Sequence, residues 1–483
     1  MNSLFLADGY KTSHHSQYPK GTTKVYSNFT PRSLKHADKK CDKVVVFGIQ
    51  LAIKQLHKHF QENFFSKPKE EVCGEIKKEL SMYLGSDYDV THFEALHDLG
   101  YLPIKIKALE EGSLVDIKIP VLTITNTLSE FFWVTNYLET IISNLLWKPM
   151  TSASIAFQYK KILTYWANLT DKENLGFVNF QAHDFSMRGL DSIDAAISSG
   201  LGHLTSFSGS DTLPVIPAAR EYYNETGFVC ASVDATEHSV MSAGGQETEK
   251  ETYLRLIRNK PSGIISIVSD TWDLWSVVTE LLPSIKDEIM ARDGKTVIRP
   301  DTGLPEDIIC GDANSSDVNE QKGLIELLWE TFEGTTNAQG YKVLDSHIGA
   351  IYGDSITLDR AEIICKRLAD KGFASTNVVL GVGSFTYQFN TRDTFGFAMK
   401  ATYVEINGKG VNIFKNPKTD DGTKKSATGL LKITKTLSGE YQLQEKCSVQ
   451  EEQDGELKEV YVDGKLVKET TLTNIKTLIS NEL

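Results

Sequence analysis

Thr296-Val297-Ile298-Arg299-Pro300-Asp301-Thr302-Gly303 decides the fold of this chain. The stretch begins with β-branched residues and ends in a turn with proline and glycine, so it predicts a short buried strand that stops at an arginine and an aspartate. A guanidinium and a carboxylate beside a core are costly unless a ligand or a partner uses them. Arginine suits phosphate oxygens, and aspartate suits sugar hydroxyls or a hydrated divalent cation. Arg299 and Asp301 are therefore candidate ligand-binding residues, with a structural ion pair as the alternative.

The same arrangement recurs along the middle of the chain. A short apolar run ends in polar or glycine-containing residues, and a segment of helical periodicity follows. The predicted strands are residues 176–182, 228–233, 264–268, 296–298, 348–352 and 377–380. Alternating strands and helices indicate an α/β fold with a parallel sheet, and this number of units fits a closed β/α barrel, in which functional groups gather at the C-terminal ends of the strands. An open doubly wound sheet is the alternative.

The two ends of the chain have a different pattern. Residues 24–29 and 43–48 resemble strands, and alternating segments after Arg392 are separated by the turn sequences NGK, SGE and DGK, which are hairpin signals. We predict that both ends form one antiparallel, β-rich domain. The expected division is residues 1–149 and 391–483 for that domain and residues 150–390 for the barrel. Residues 415–426 are predicted to be a polar loop.

The composition is that of an ordinary globular protein. The chain has 483 residues, which favours two domains, and its formal net charge of -13 argues against a nucleic-acid surface. Its six cysteines are scattered without metal-ligand spacing. The N-terminus does not read as a signal peptide, and the apolar residues 122–147 are interrupted by charges, so they predict a core helix rather than a membrane span. We expect a cytoplasmic protein that binds neither nucleic acid nor membrane.

Three aspartates follow three different predicted strands. Asp270, Asp301 and Asp354 would share one rim of a barrel, where carboxylates could bind ribose hydroxyls or hydrated Mg²⁺. Each could instead cap the helix that follows it. His238 follows another predicted strand and comes directly after Glu237, so it is a candidate nucleophile or acid–base group, or else a buried structural histidine.

Two further segments could bind a phosphorylated aromatic ligand. The loop Gly381-Val382-Gly383-Ser384 offers backbone N–H groups to a phosphate, although an ordinary turn has the same sequence. Phe185 and Arg188 place an aromatic face and a cation three residues apart. A flat ring could stack on the first while its phosphate pairs with the second.

These motifs match a known family in their order along the chain. The chain resembles the nicotinamide phosphoribosyltransferases from Asp8 to its C-terminal hairpins. The N-terminal DGYKTSHHSQYP is similar to that family's DSYKxTHxxQYP. The other motifs that carry the resemblance are HDFSMRG, FSGSDT, ATEHS, VSDTWD, IRPDTG, IYGDS, the GVGS-to-TRD segment and KGVNIF.

The resemblance implies both a fold and a reaction. The fold is that of a type II phosphoribosyltransferase, an irregular β/α barrel with a β-rich domain, working as a head-to-tail homodimer with shared active sites. The reaction transfers the 5-phosphoribosyl group from phosphoribosyl pyrophosphate to nicotinamide and gives nicotinamide mononucleotide and pyrophosphate, a step of NAD salvage. Mg²⁺ is the implied cofactor, and ATP is the implied co-substrate.

The resemblance also implies roles for individual residues. Phe185 and Tyr10 of the partner subunit would enclose the nicotinamide ring, and Asp211 would accept a hydrogen bond from its carboxamide. Phosphates would be held by arginines, a lysine and the glycine loop: Arg188, Arg299, Gly383 and Ser384, with Arg392 and Lys400 of the other protomer. Ribose hydroxyls and Mg²⁺-bound water would contact Asp270, Asp301, Gly353 and Asp354, the metal being held by Asp301 and Asp354. His238 would be phosphorylated by ATP, and it is the expected catalytic residue beside Asp270, Arg299 and Asp301.

Three positions depart from the family pattern. Ser384 stands in a loop that is often all glycine, Ala398 replaces a common serine, and Tyr352 before Gly353 is unusual.

Two other functions stay open, and one of them is that of a nicotinate phosphoribosyltransferase. A carboxylate at Asp211 argues against it, because it would repel the carboxylate of nicotinate. The other alternative is a catalytically silent relative that acts as a binding protein.

Overall fold

The structure is a computed structural model that describes residues 1–415 and 426–483, so most of the predicted polar loop at 415–426 lies outside the described residues. The chain divides into two compact units, and each is described by itself. The first unit consists of Met1–Ser154, Ala218–Thr226 and Asn390–Glu482. The second unit consists of Ile155–Pro217, Gly227–Phe389 and Leu483.

The first unit is built around an antiparallel sheet of seven strands. Its central strand, Thr22–Thr30, pairs with Ala398–Ile406 on one side and with Leu122–Asn126 on the other. Across the sheet the strands are Lys409–Asn412, Ala398–Ile406, Thr22–Thr30, Leu122–Asn126, Ile104–Ala108, Lys458–Val462 and Lys465–Leu466. Segments from both ends of the chain therefore share one sheet, and the predicted β-rich domain is confirmed.

Short elements complete the first unit. Two small antiparallel pairs join Val44–Val45 to Leu114–Val115 and Leu430–Lys435 to Tyr441–Cys447. The helices are Ser3–Phe5, Gly9–Ser13, His14–Gln17, Ile49–Phe60, Gln61–Phe65, Lys69–Leu84, Thr91–Leu99, Ser129–Phe131, Val134–Tyr137, Val449–Gln453 and Leu472–Ser480. Two more helices contain residues of both units, Glu139–Thr170 and Val215–Tyr223.

The predicted core helix at residues 122–147 is wrong in its first part. Leu122–Asn126 is a strand, and helical structure of any kind begins only at Ser129. The segment contains the β-branched residues Thr123, Ile124 and Thr125, which favour a pleated, half-buried surface over a helix. Among the described helices, none has the combination of length and apolar character needed to cross a bilayer.

The second unit contains a parallel sheet of seven strands. In order they are Gly209–Ser210, Ala182–Asp184, Val378–Val382, Ile348–Tyr352, Thr296–Arg299, Ile265–Val268 and Asp234–Ala235. A parallel bridge joins Gly209 to Ala231, in the segment that leads into the opposite edge strand. Two backbone hydrogen bonds accompany it, from Ala231 N to Ser208 O at 2.8 Å and from Ser210 N to Ala231 O at 3.1 Å. The edges of the sheet are thus linked, and the fold is the predicted irregular β/α barrel.

Two of the predicted barrel strands are wrong. Residues 176–181 are helical, and the strand begins at Ala182. Val178 and Gln181 are the buried positions there, and their spacing of three is helical rather than alternating. Residues 228–233 form no strand beyond the bridge at Ala231. Phe228 and Val233 are exposed, and Val229 is the buried residue of the segment.

Helices fill the connections between the barrel strands. The segment after Asp273 is divided into four short helical pieces, and Ile285, two residues after Pro283, leaves the helical conformation. An antiparallel pair joins Gly334–Thr336 to Lys342–Leu344. The remaining helices are Lys172–Phe177, Val178–Gln181, Met187–Gly189, Ile193–Leu204, His238–Ser242, Gln246–Thr248, Glu249–Asn259, Leu274–Ser276, Val277–Leu281, Leu282–Ser284, Lys286–Met290, Pro305–Cys310, Val318–Lys322, Leu324–Phe332, Leu358–Asp370, Ser375–Asn377 and Ser384–Gln388.

The barrel strands form the core of the second unit. Every residue of Ile265–Val268 and of Ile348–Tyr352 is buried. Strands covered on both faces read as continuous apolar runs, which is why these two were predictable from the sequence. All six cysteines are free thiols. The cytoplasmic location stays a prediction.

Candidate active site

The C-terminal ends of the barrel strands carry the residues predicted to act in the second unit. Because the strands are parallel, these ends lie at the same rim of the barrel. Following the order of the strands, the residues at the rim are Asp211, Phe185, Gly383 with Ser384, Gly353 with Asp354, Arg299 with Asp301, Asp270 and His238. Arg188 lies in the short helix that follows Phe185. The structure therefore brings these candidates to one side of one unit.

His238, Asp270 and Asp301 form a cluster on this rim. The Nε2 atom of His238 lies 3.3 Å from Asp301 Oδ1 and 3.9 Å from Asp270 Oδ1. The other oxygen of Asp270, Oδ2, accepts from the backbone N–H of Asp301 at 2.8 Å and from the Thr302 hydroxyl at 2.6 Å. These bonds fix the Asp301 loop against the end of the neighbouring strand. The Nδ1 atom of His238 lies 3.1 Å from the Thr271 hydroxyl.

This cluster fits a divalent cation. One ligand atom from each of the three residues lies within 4.8 Å of the others. Asp270 Oδ1 is buried and has no hydrogen-bond partner among the described residues. A buried carboxylate oxygen without a donor is costly, and a hard cation or its bound water would satisfy it. Asp354, which was expected to help hold the metal, is not a member of this set.

Arg299 supplies positive charge to the rim. Burial lowers the pKa of its guanidinium below the ordinary value, and the nearby charge of Arg188 adds to this, while Asp301, Asp211 and Asp270 oppose it. The Nε–H group of Arg299 is buried without a partner among the described residues. Two arginines close together, one with an unused buried donor, are suited to a phosphate or pyrophosphate group.

Asp211 follows the edge strand Gly209–Ser210, and its carboxylate is held by two donors. The Nε2 atom of His183 lies 2.9 Å from Asp211 Oδ1, and the hydroxyl of Ser232 donates to the same oxygen. Burial acts to raise the pKa of Asp211, but these hydrogen bonds and the charge of Arg299 outweigh it, so the pKa lies below its ordinary value. The carboxylate is therefore charged at neutral pH. Phe185 lies beside this pair, with its ring centroid 4.5 Å from that of His183.

Close packing leaves little room for a side chain at Gly381 and Gly383. A Cβ atom on Gly381 would lie 2.6 Å from the carbonyl oxygen of Tyr352, and one on Gly383 would lie 1.9 Å from Asp354 Oδ1. On the other side, Ser384 packs against Gly189, where a Cβ atom would meet the serine hydroxyl at 2.2 Å. The loop thus adjoins both Asp354 and the turn that carries Arg188.

The unusual Tyr352 has a structural role. Its side chain is fully buried, and its hydroxyl donates to the carbonyl of Gly303 at 2.9 Å. It therefore ties the end of its own strand to the loop that carries Asp301. Burial, together with the charges of Asp270, Asp301 and Asp354, raises the pKa of Tyr352, so the phenol remains a donor. Ala398 is buried and faces Thr30 in the first unit.

Tyr10, Arg392 and Lys400 lie in the first unit, where they form a cluster of their own. Glu139 is at its centre, with one oxygen 2.5 Å from Lys11 Nζ and the other 3.8 Å from Lys400 Nζ. Burial lowers the pKa of Lys400, Glu139 opposes this, and the charges of Lys11 and Arg392 reinforce it. Tyr10 is 62% exposed, so its ring is available for a contact outside this cluster.

Sequence reasoning missed three residues that complete these groups. His183 lies inside the quoted HDFSMRG motif but received no role, and Ser232 and Glu139 were not considered. Alternation gave a usable signal for His183, because residues two apart on a strand share a face and Phe185 was already a candidate. No local signal joins Ser232 to Asp211, since the closure of the barrel brings them together.

The chain is similar to known proteins along its whole length. The model of the nicotinate phosphoribosyltransferase (NAPRTase) family matches residues 180–465. The model of the nicotinamide phosphoribosyltransferase N-terminal domain matches residues 2–106. Among the similar curated proteins are several named nicotinamide phosphoribosyltransferase. The protein of Acinetobacter baylyi is 49% identical, covering 100% of this chain and 98% of its own. That of Mycoplasma pneumoniae is 34% identical, covering 89% and 95%.

Solved structures support the fold. Human nicotinic acid phosphoribosyltransferase superposes with a TM-score of 0.55 at 14% identity, covering 98% of this chain and 93% of its own. The nicotinate-nucleotide pyrophosphorylase of Pyrococcus furiosus gives a TM-score of 0.55 at 14% identity, with coverage of 99% and 94%. At this identity the similarity concerns the fold alone.

Proposed function

The chain belongs to the nicotinamide phosphoribosyltransferase family, and we propose that it transfers the 5-phosphoribosyl group of phosphoribosyl pyrophosphate to nicotinamide. The products are nicotinamide mononucleotide and pyrophosphate, and the step serves NAD salvage. The observation that carries the proposal is the rim of the barrel, where an ionised carboxylate, an aromatic ring and paired arginines lie together. These groups are Asp211, Phe185, Arg188 and Arg299.

Asp211 accounts for the choice of base. A carboxylate can accept a hydrogen bond from the carboxamide N–H of nicotinamide, whereas it repels the carboxylate of nicotinate. Two like charges about 4 Å apart repel by about 4 kcal/mol in a partly buried site, enough for roughly a hundredfold discrimination or more. Phe185 offers the ring a stacking surface next to Asp211 and His183.

The arginines and the glycine loop account for the phosphates. Arg188 and Arg299 would bind the pyrophosphate, and the unused Nε–H of Arg299 is a donor for it. The backbone at Gly383 and Ser384 would bind the 5′-phosphate. Asp354, which packs against that loop, would accept from ribose hydroxyls together with the backbone at Gly353.

The chemistry requires charge placement rather than a base. Breaking the bond between C1′ and the pyrophosphate oxygen leaves an oxocarbenium-like ribose, and the arginines stabilise the departing negative charge because they are already in place. The pyridine nitrogen carries no proton to remove, so the protein contributes mainly by holding the ring over C1′. Mg²⁺, held by Asp270 and Asp301 with Asp354 acting through water, would neutralise pyrophosphate charge when bound.

His238 would couple ATP to this reaction. Its ring is about half exposed and faces Asp301, so ATP could reach it from solvent. Transfer of the γ-phosphoryl group to a ring nitrogen would release ADP, and water would later hydrolyse the phosphohistidine. The added negative charge beside Asp270 and Asp301 would strengthen cation binding at this side of the rim.

The cluster of Tyr10, Arg392 and Lys400 in the first unit would complete the active site of a second subunit. Tyr10 is exposed, and Arg392 and Lys400 carry positive charge, so these residues suit the outer face of a nicotinamide ring and the phosphates. We propose a head-to-tail homodimer in which each subunit lends this cluster to its partner.

The test is a product assay with the purified chain. Nicotinamide, phosphoribosyl pyrophosphate and Mg²⁺ should yield nicotinamide mononucleotide and an equal amount of pyrophosphate. The Arg299→Gln variant should lose most of this activity, whereas Arg255→Gln, an exposed arginine of the same unit, should retain it. Absence of mononucleotide from the wild-type protein under these conditions would overturn the proposal.

A further inference from the structure

The two oxygens of the Asp211 carboxylate have different surroundings. Oδ1 accepts from both His183 Nε2, at 2.9 Å, and the Ser232 hydroxyl. Within the described residues no hydrogen bond is recorded to Oδ2. A carboxylate bound twice at one oxygen has a fixed orientation and leaves the second oxygen for another donor.

The His183 ring is fixed by its own surroundings. His183 lies in the middle of the strand Ala182–Asp184 and pairs in register with Gly209 of the edge strand. A Cβ atom on Gly209 would lie 2.7 Å from His183 Nδ1, so the glycine makes room for the imidazole. Phe185 packs against the ring at an angle of 32°. Because an ionised carboxylate only accepts, Nε2 of His183 is the nitrogen that carries the proton.

We propose that His183 is a positioning residue that determines base specificity, its Nε2–H holding Asp211 Oδ1 so that Oδ2 faces the carboxamide of nicotinamide. Ser232 assists at the same oxygen. The inference rests on the proposed function, since it names what keeps the carboxylate of that site in its working state. His183 does not contact the reacting atoms; it acts through Asp211.

Loss of the His183 donor should change specificity in a defined way. Burial acts to raise the pKa of Asp211, and the hydrogen bond from His183 is the largest opposing contribution. Without that bond the carboxyl group takes up a proton more readily and can rotate. A protonated Asp211 can donate to the carboxylate of nicotinate instead of repelling it, so discrimination should fall, and most strongly at low pH.

The experiment compares His183→Leu with His183→Gln. Leucine removes the donor, whereas the side-chain amide of glutamine places an N–H close to the position of Nε2. The readout is the ratio of kcat/KM for nicotinamide to kcat/KM for nicotinate, measured across the neutral and mildly acidic range. We expect the ratio to fall by about tenfold or more in His183→Leu, corresponding to the loss of one hydrogen bond to a charged group, and to stay near the wild-type value in His183→Gln.

His347→Leu is the matched control. It removes another histidine–aspartate pair of the same unit, His347 Nδ1 with Asp345 Oδ1 at 2.7 Å, at the opposite end of a barrel strand. In His347→Leu the ratio of kcat/KM for nicotinamide to kcat/KM for nicotinate should equal that of the wild type. If His183→Leu does not fold, Ser232→Ala removes the second donor to the same oxygen and should lower the ratio in the same direction.

The outcomes separate the two proposals. If the wild-type protein formed no nicotinamide mononucleotide, the proposed function itself would be wrong. A wild-type enzyme that is active, with a His183→Leu variant that keeps the base ratio and its pH profile, would overturn the role of His183 alone. Equal losses of kcat/KM for both bases would overturn it as well, because that result describes a merely structural residue.

Discussion

His238 and Asp301 meet across the rim of the barrel, with Nε2 of the histidine 3.3 Å from Oδ1 of the aspartate. Their strands are not neighbours in the sheet, because the strand Ile265–Val268 lies between them. Asp270, at the end of that middle strand, accepts from the Asp301 backbone N–H at 2.8 Å, and its Oδ1 lies 3.9 Å from Nε2 of His238. A modification of the histidine would therefore act directly on both carboxylates.

Replacement of His238 should uncouple ATP from catalysis. We expect His238→Ala to lose stimulation of nicotinamide mononucleotide formation by ATP and to incorporate no label from γ-labelled ATP, since the acceptor nitrogen is gone. Full stimulation in the variant would contradict the phosphohistidine hypothesis. His347→Ala, which lies away from the rim, should behave as the wild type.

Neutralisation of Asp211 should narrow the preference for the amide. Asp211→Asn keeps a hydrogen-bonding group of the same size and removes the charge that repels nicotinate. We expect the ratio of kcat/KM values for nicotinamide over nicotinate to fall by about tenfold or more. Asp345→Asn, in the other histidine–aspartate pair, serves as the control and should leave the ratio unchanged. An unaltered ratio in Asp211→Asn would mean that another group selects the base.

An added methyl group at Gly383 should impair binding of the phosphorylated substrate. Its Cβ atom would lie 1.9 Å from Asp354 Oδ1, so either the loop or the aspartate must move. We expect Gly383→Ala to raise the KM for phosphoribosyl pyrophosphate by about tenfold or more, with a smaller effect on the KM for nicotinamide. Gly176→Ala is the matched control, because nothing lies within 4 Å of the added atom. Equal effects of the two variants would argue against a phosphate role for the loop.

Mixed dimers should test the shared active site. Phe185→Ala damages a residue of the second unit, and Lys400→Ala damages one of the first. Co-expression should restore about a quarter of the wild-type activity, since half of randomly formed dimers are mixed and one of their two sites is intact. Activity no higher than that of the separate variants would contradict a site built from two subunits.

His92 should make the stability of the first unit depend on pH. Its ring is stacked on His15, with centroids 4.5 Å apart, and packs edge-on against Trp133. Burial, with a further contribution from His15, lowers the pKa of His92 from 6.5 to about 3, and Asp89 opposes this. The unfolded chain therefore binds the proton more readily than the folded one, so stability is complete above the unfolded pKa and falls as the pH drops below it.

The size of that effect can be measured by urea unfolding. Between about pH 7.5 and about pH 5.5 the contribution of His92 should decline by about 1 kcal/mol. His92→Phe keeps an aromatic ring in the stack and should lose less stability than the wild type over this interval. His36→Phe, at an exposed position, should follow the wild type. A wild-type curve that parallels that of His92→Phe would contradict the prediction.

The sequence was most informative where burial was uniform. Ile348–Tyr352 was predicted with the bounds that the structure has, because all of its residues are buried and the run has no polar interruption. Ala182–Asp184 and Gly209–Ser210 could not be recognised in this way, since they are short and contain polar or small residues. Such strands exist because neighbouring strands supply their hydrogen bonds, and this information is not local.

The candidate site shows the same division. Residues at strand ends were predictable, because polar groups after apolar runs must gather at one rim of a parallel barrel. The contact between His183 and Asp211 was not, because 28 positions separate them and only the register of two adjacent strands brings them together. The sequence also gave no indication that Asp270 Oδ1 is buried without a hydrogen-bond donor, because this depends on which donors the Asp301 loop offers.

The most direct measurement is an internal competition between the two bases. Equal concentrations of nicotinamide and nicotinate are supplied with limiting phosphoribosyl pyrophosphate, and the two mononucleotides are separated and counted. The charged Asp211 beside Phe185 predicts nicotinamide mononucleotide in an excess of roughly a hundredfold. Nicotinate mononucleotide as the main product, or neither mononucleotide, would contradict the assignment of this rim as a nicotinamide site.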